Sequence, residues 1–180
     1  RCGLDPAHMR AFFASMRADL DPAVHDGASL AAYIHGSAEV IGLMCLDIFL
    51  THGPTSADRD WLAEGAVALG AAFQKINFLR DVGEDVTLLH RAYLPGDLTD
   101  EVKDGLLDDA AADLERGRAR VAALPRGSRA GVAAATALYS DLLDRLRETP
   151  AAELTGPGAR RVRVPAARKL VLAAKAVARG

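Results

Sequence analysis

The chain has 180 residues, of which 50% are hydrophobic, 5% aromatic and 26% charged, and its formal net charge is −2. This length suits a single domain with one core over residues 1–180, and the composition excludes a disordered or low-complexity chain. Abundant alanine favours helices over sheet, and two distant cysteines, Cys2 and Cys45, argue against a disulfide framework or a zinc site.

Helical segments with clear breaks between them are predicted along the first half of the chain. The first covers about residues 6–20 and ends at the turn DLDP. The second covers about residues 29–50 and is apolar on most sides, as a central helix of a bundle would be. His35, Glu39 and Asp47 make it too polar for lipid, and His35 is expected to be packed. The third covers about residues 57–84, with Ser56 as its predicted N-cap.

The second half of the chain continues the helical pattern after a loop that carries Tyr93. Thr99 is predicted to cap a short helical turn, and two helices follow at about residues 108–123 and 126–147. Residues 149–165 are rich in proline, glycine and arginine, and a short amphipathic helix is predicted for about residues 166–178. The pattern predicts an all-α bundle of about six helices.

Charge is unevenly distributed along the chain. Seven of the 22 basic residues and none of the 24 acidic ones lie after Glu153, so the first 153 residues carry an excess of nine negative charges. This tail is either a solvated appendage or a binding segment for a phosphorylated ligand or an anionic membrane. The apolar face of its helix either lies on a membrane or completes the bundle.

Neither a signal peptide nor an uninterrupted apolar run of about 18 residues is recognised in the sequence. We therefore expect a cytoplasmic protein. Peripheral membrane contact through the basic tail is a further expectation, and no nucleic-acid partner is expected.

A polar stripe interrupts the third helix. Its members are three or four residues apart and therefore share one helix face: Gln74, Asn77, Asp81 and Asp85. The two carboxylates repel each other, and in a cleft this arrangement requires a cation such as Mg²⁺ between them. The amides would then donate to phosphate oxygens or orient water. The alternative is a solvated helix end in which Arg80 pairs with Glu84.

Four stretches of the sequence together resemble the squalene/phytoene synthase family of head-to-head isoprenoid synthases. QKINFLRDVGED followed by RAYLP resembles its second aspartate-rich motif, and three stretches agree in order and spacing: FFASMRADL, YIHGSAEVIGLM and RRVRVPAARKL. The resemblance is strongest to the phytoene synthase branch and covers essentially the whole chain. It implies an isoprenoid-synthase-type helical bundle around a central hydrophobic cavity, of which this chain is the C-terminal part, because the family's first aspartate-rich motif lies upstream.

The resemblance also implies a reaction. A phytoene synthase is a prenyltransferase that condenses two geranylgeranyl diphosphates head to head, through a cyclopropyl diphosphate, to the carotenoid precursor phytoene. Mg²⁺, or alternatively Mn²⁺, holds the diphosphates. Two alternatives remain open: a squalene or dehydrosqualene synthase that uses farnesyl diphosphate, and a non-catalytic relative that binds prenyl diphosphate, because the first motif is absent.

Matching the family's motifs residue by residue assigns a candidate site. Asp81, Asp85 and Arg80 are the expected catalytic residues, and Asp81, Asp85 and Asn77 the expected metal ligands. The expected substrate-binding residues are Tyr33, Ser37, Ile41, Gly42, Gln74, Asn77, Tyr93, Tyr139 and Arg161. Two positions depart from the family's pattern, since Lys75 stands where leucine is common and His90 where glycine is usual.

Overall fold

The computed structural model describes residues 3–20, 27–88, 97–155 and 158–179, without the side chains of residues 84–88 and 179. These residues contain helices and no strand, so the predicted all-α class is confirmed. In chain order the elements are α1 (Pro6–Ala18), α2 (Gly27–Ile34), a π-helical turn (His35–Glu39), α3 (Val40–His52), α4 (Arg59–Leu88), α5 (Asp100–Val121), α6 (Arg126–Glu148), α7 (Ala151–Thr155) and α8 (Ala166–Arg179).

The second predicted helix corresponds to α2, the π-helical turn and α3, which follow one another without a break. Helix α1 passes so close to the turn that a Cβ atom on Gly36 would lie 2.0 Å from the Oγ of Ser15. The expectation that His35 is packed is wrong. Its side chain is exposed, and its Nδ1 lies 2.8 Å from Oε2 of Glu39, four residues on, which holds the ring at the surface.

By length and composition alone, Ala28–His52 is the one helix of the described residues that could cross a membrane. The core helix of a soluble protein meets the same criterion. Here Asp47 accepts a hydrogen bond of 2.6 Å from Nη2 of Arg59 at the start of α4. The helix is thus joined to its neighbour by an ion pair as well as by apolar packing.

Helix α4 begins and ends later than predicted. Its first turn is capped by Asp58, whose Oδ1 accepts a 2.9 Å hydrogen bond from the Trp61 amide, and Ser56 is not the cap. The helix continues past the predicted end to Leu88. Gly83 therefore lies inside the helix and does not end it. The glycine allows α7 to pack closely on α4, since a Cβ atom there would lie 2.5 Å from the carbonyl oxygen of Leu154.

Helix α5 is one continuous element where the sequence suggested a short turn and a later helix. Thr99 is its N-cap, with Oγ1 accepting from the Val102 amide at 3.2 Å, but the helix then continues to Val121. The polar first turn is fixed by tertiary contacts. Lys103 is buried and donates to Asp100 Oδ1 at 3.0 Å and to the Thr149 carbonyl at 2.7 Å, which joins α5 to the end of α6.

Helix α4 is the centre of the bundle, and its buried face contributes to two apolar clusters. The first cluster includes Ile76, Leu79, Leu107, Leu142 and Leu146. The second includes Leu46, Leu62, Leu69, Leu114 and Val121. Helix α7, which the sequence did not predict, adds the buried Leu154 to the first cluster. Both clusters hold α4 in place, and two α4 residues of the second cluster, Leu62 and Leu69, also line the candidate site.

Candidate functional site

A cavity of about 550 Å³ lies between α3, α4, α5 and α6. Helix α4 lines it from Leu62 to Gln74, which is about 18 Å along the helix axis. The volume falls within the range of small-molecule binding sites. Most of the lining side chains are aliphatic or aromatic, among them Ile41, Phe49 and Phe73. The cavity can therefore accept an elongated apolar molecule.

Two glycines bring the walls of the cavity together. A Cβ atom on Gly42 would lie 2.3 Å from the Ala66 carbonyl oxygen, and one on Gly70 would lie 2.5 Å from the Ala38 carbonyl oxygen. Both positions line the cavity, so the backbones on either side approach more closely than other residues would allow. The glycines set the width of the cavity on its α3–α4 side.

Ser37 places a polar atom in the cavity wall. It belongs to the π-helical turn, a conformation that occurs frequently at functional sites. Its Oγ is buried and has no hydrogen-bond partner among the described residues. A buried hydroxyl without a partner costs free energy, which a ligand or a water molecule in the cavity would recover.

The end of the cavity near the start of α4 is bounded by Arg120. Its methylene groups cover Gly65, where a Cβ atom would lie 2.5 Å from the arginine Cδ. Its guanidinium lies 5.1 Å from the centroid of the Trp61 ring, and Nη2 is 2.6 Å from Oε2 of Glu64. The guanidinium charge of Arg120 is thus paired with Glu64 away from the cavity, while the methylene groups of the same side chain form part of the apolar wall. A single arginine carries no sequence signal for this role.

At the opposite end, Tyr139 joins the apolar wall to the polar stripe of α4. Its ring stacks on the cavity residue Phe73 with the centroids 4.0 Å apart and an angle of 17° between the planes. Its hydroxyl donates to Oδ1 of Asn77 at 3.2 Å. Polar side chains therefore begin where the cavity ends, within one helical turn of Gln74.

Asp81 lies beyond this point and is held between two arginines. Arg80 approaches with Nη2 2.5 Å from Oδ2 and Nε 2.8 Å from Oδ1. Arg161 approaches with Nε 2.6 Å from Oδ1 and Nη2 3.1 Å from Oδ2. The hydrogen bond to Asp81 raises the pKa of Arg80, with a further contribution from Tyr139 and in spite of partial burial. Two guanidinium groups around one carboxylate leave a net positive charge, which favours an anion such as a diphosphate.

A model of the squalene/phytoene synthase family matches residues 1–168. The chain belongs to this family. It is 31% identical over 199 aligned residues to phytoene synthase 3, chloroplastic, of Zea mays, an alignment that covers 99% of the chain and 46% of that protein. It is 43% identical over 104 residues to the phytoene synthase of Mycobacterium bovis, covering 57% of the chain and 32% of that protein.

The chain also aligns with the chloroplastic phytoene synthase of an Oncidium hybrid cultivar, at 32% identity over 136 residues, 65% of the chain and 33% of that protein. It thus spans less than half the length of the curated relatives it matches. The family that the sequence motifs indicated is confirmed. It is a family of all-α transferases of isoprenoid and carotenoid biosynthesis that bind prenyl diphosphates.

Apart from Tyr33, the residues that the family resemblance assigned fall into three groups in the structure. The polar end of the cavity brings together Asn77, Arg80, Asp81, Tyr139 and Arg161. The cavity wall contains Ser37, Ile41, Gly42 and Gln74. Two residues fall outside this description: Tyr93 lies outside the described residues, and Asp85 follows Asp81 by one turn of α4 without a described side chain. The roles assigned to all of these residues stay predictions.

Tyr33 is not among the residues that line the cavity. It is buried against Phe78, with the ring centroids 6.1 Å apart, and its hydroxyl donates to Oδ1 of Asp19 at 2.9 Å. In this structure it connects the end of α1 to the central helix.

Divalent metal use is a property of the family, and the oxygen donors of this site are of the kind that Mg²⁺ prefers. The described residues do not contain a group of three Asp, Glu, His or Cys side chains close enough to hold a metal. The carboxylate oxygens of Asp81 already contact the guanidinium groups of Arg80 and Arg161. Oδ1 of Asn77 already accepts a hydrogen bond from the hydroxyl of Tyr139. Asp81, Asp85 and Asn77 could act as ligands together only if at least one arginine moved away, so the assignment stays a prediction.

Lys75 has a structural role that sequence reasoning missed. Its Nζ lies 2.5 Å from Asp109 Oδ2 and 2.6 Å from Asp113 Oδ2, both on α5. Burial disfavours the charged lysine, but the hydrogen bonds to the two carboxylates outweigh this and raise the pKa of Lys75. Lysine rather than leucine at this position therefore joins α4 to α5 by an ion-pair network.

Proposed function

We propose that this chain is the C-terminal part of a phytoene synthase, a prenyltransferase that condenses two geranylgeranyl diphosphates head to head to phytoene through a cyclopropyl diphosphate. One observation carries the proposal: an apolar cavity ends at a polar cluster in which two arginines surround Asp81. A prenyl diphosphate has a matching shape, with a hydrocarbon tail and an anionic head. Relatives named as phytoene synthases support this choice within the family.

The apolar residues of the site are proposed to contact the hydrocarbon tail of the substrate, and the charged residues its diphosphate group. The aliphatic and aromatic wall around Phe73 keeps water from the allylic cation that forms when the diphosphate leaves. Arg80 and Arg161 bind diphosphate oxygens through their planar donor groups and stabilise the negative charge of the departing group. Asp81 orients both guanidinium groups before substrate binds.

Asp81, Asp85 and Asn77 are proposed to hold Mg²⁺, with Mn²⁺ as the alternative. When bound, the metal ion supplies additional positive charge for diphosphate departure. Residues 1–180 are proposed to form one helical unit of the synthase domain. The proposed location is the cytoplasm, with a peripheral membrane contact through the basic C-terminal segment.

The test is a titration of the thio analogue of geranylgeranyl diphosphate, which does not ionise, in the presence and absence of Mg²⁺. We expect Mg²⁺-dependent binding that Asp81→Asn weakens at least about tenfold, because the substitution removes a charged oxygen ligand and the anchor of two arginines. Asp108→Asn is the matched control, since Asp108 is an exposed carboxylate on α5 paired with Arg147. Circular dichroism verifies that each variant is helical.

Each alternative predicts a different result. Equal binding by wild type and Asp81→Asn would contradict the metal assignment. Tighter binding of the farnesyl analogue would favour a squalene or dehydrosqualene synthase. Tight, Mg²⁺-dependent binding without product from radiolabelled geranylgeranyl diphosphate, even after the upstream helices are supplied, would favour a non-catalytic relative.

A further inference from the structure

Helices α4 and α5 approach each other closely at the end of the cavity that lies near the start of α4, and each contributes a glycine there. A Cβ atom on Gly117 would lie 3.0 Å from the carbonyl oxygen of Gly65 and 2.4 Å from Cγ of Leu69. Both glycines line the cavity. Because glycine has no side chain, the wall between the two helices depends here on a side chain from another position.

Arg120, three residues after Gly117 on α5, supplies that side chain. A Cβ atom on Gly65 would lie 2.5 Å from Cδ, 3.1 Å from Cβ and 3.3 Å from Cγ of the arginine. Three successive carbon atoms of Arg120 therefore cover the glycine. We call these carbon atoms the stem of Arg120, and they replace the side chain that Gly65 lacks in the cavity wall.

The guanidinium group of Arg120 fixes the stem in this position. Its Nε donates to the Trp61 carbonyl at 2.8 Å and its Nη1 to the Arg116 carbonyl at 2.7 Å. Its Nη2 donates to Oε2 of Glu64 at 2.6 Å. The side chain of Arg120 is 17% exposed and that of Glu64 69%, so the stem lies between the cavity and the surface. Displacing the stem would break these charge-assisted contacts.

The neighbouring side chains at this end of the cavity belong to the apolar core. Leu62, Val121 and Leu124 line the cavity and are buried members of the second cluster. Arg120 differs from them because its guanidinium group pairs with an exposed carboxylate at the surface. It is therefore the position at which removing one side chain lengthens the cavity without disturbing the core.

We infer that the stem of Arg120 is the end wall that limits the length of the prenyl tail. This inference rests on the proposed function, which assigns the tail to the cavity and the diphosphate to Arg80 and Arg161. A tail held in this way extends along α4 towards Leu62, and its last isoprene unit meets the stem. A prenyl diphosphate with one more isoprene unit has to displace Arg120 from its contacts.

The test compares two thio analogues in titrations of the full chain with Mg²⁺: that of geranylgeranyl diphosphate and that of the homologue with one more isoprene unit. We expect the wild type to bind the shorter analogue at least about tenfold more tightly, because an apolar pocket rejects a surplus group to about this extent. Arg120→Ala should reduce this preference to about twofold or less, since it opens the end wall towards the surface.

Arg120→Met is the matched variant that separates a wall from a structural link. It loses the same hydrogen bonds and ion pair as Arg120→Ala but keeps an unbranched apolar stem of similar length. It should therefore retain the wild-type preference, whereas a mere link between α4 and α5 would be lost in both variants. Circular dichroism verifies that each variant is helical.

Arg118→Ala is the control on the same helix. Arg118 is exposed, pairs with Glu115 at 3.2 Å and lines the groove between α5, α6 and α8 instead of this cavity. It should retain the wild-type preference.

Three results would overturn the inference while leaving the proposed function intact. They are equal affinities of the wild type for the two analogues, an unchanged preference in Arg120→Ala, and a preference lost in Arg120→Met. A wild type that binds neither analogue would overturn the proposed function, and the inference with it.

Discussion

Asp81 and Arg161 lie 80 positions apart in the sequence and meet at the polar end of the cavity. The sequence indicates Asp81 through its spacing on α4, whereas Arg161 is found only through its motif match. Their pairing has a consequence for metal binding. Arg161 and Mg²⁺ compete for the same carboxylate oxygens, so the ligand-free chain holds its own cation where the metal is predicted to bind.

Removing Arg161 should therefore strengthen Mg²⁺ binding to the ligand-free chain. For Arg161→Gln we expect the Mg²⁺ affinity to rise about tenfold, because a charge-assisted hydrogen bond contributes about 1.5–3 kcal/mol. Isothermal titration calorimetry of Mg²⁺ measures this without any reaction. Arg163→Gln, an exposed position two residues on, is the control and should leave the affinity unchanged. A lower or unchanged affinity in Arg161→Gln would show that Asp81 is not a metal ligand.

Among the helices, α8 depends on a particular ion-pair cluster for its position. Asp141 of α6 accepts from Arg145 Nε at 2.7 Å and from Arg168 Nε at 2.6 Å. Burial opposes the ionised form, but the hydrogen bonds from the two arginines outweigh it and hold the pKa of Asp141 below its ordinary value. This stabilisation is present above the unfolded-state pKa of about 3.9 and is lost as the pH falls through the folded-state value.

Acid should accordingly loosen α8 from α6. Below about pH 4 we expect hydrogen-exchange protection of the α8 amides, corrected for intrinsic rates, to fall about fivefold, since a partly exposed ion pair contributes about 1 kcal/mol. Asp141→Asn should show the reduced protection already at neutral pH. Asp144→Asn, an exposed carboxylate one turn further along α6, should behave like the wild type. Unchanged protection in Asp141→Asn would show that apolar packing alone positions α8.

At the scale of the whole molecule, the cavity exists because four helices surround it without filling it. Gly131 on α6 lines it, and a Cβ atom there would meet no other atom within 4 Å. Gly105 on α5 has equally open surroundings but does not line the cavity. Each glycine is the sixth residue of its helix. The same substitution at both glycines changes helix propensity equally, but only the substitution at Gly131 also reduces the volume of the cavity. Comparing the two variants therefore separates these two effects.

Gly131→Leu should stabilise the fold and at the same time weaken ligand binding. Replacing glycine inside a helix contributes about 0.5–1 kcal/mol, and the leucine side chain enters the space proposed for the prenyl tail. We expect thermal unfolding to show the gain in both Gly131→Leu and Gly105→Leu. Affinity for the geranylgeranyl thio analogue should fall about tenfold in Gly131→Leu alone. Equal affinities in the two variants would place the ligand elsewhere.

The sequence predicts that most of the helices exist, but it predicts less well at which residues they begin and end. The sequence predicts Thr99 as a cap because its signal is local, whereas Asp58 rather than Ser56 caps α4, a choice that the sequence does not predict. The π-helical turn has no sequence signal, and neither has the close passage of α1 at its Gly36. Lys75 departs from the family's pattern in the sequence, but only the packing of α4 on α5 brings it to its partners Asp109 and Asp113.

The sequence by itself determined the helical class, the family and the polar stripe of α4, because helical periodicity and short motifs are local properties of the chain. The tertiary structure decided which partner each face meets. It placed Arg161 against Asp81, removed Tyr33 from the cavity wall and turned the apolar face of α8 outwards. Periodicity shows that a helix has two faces, but only the packing of distant segments determines which one is buried.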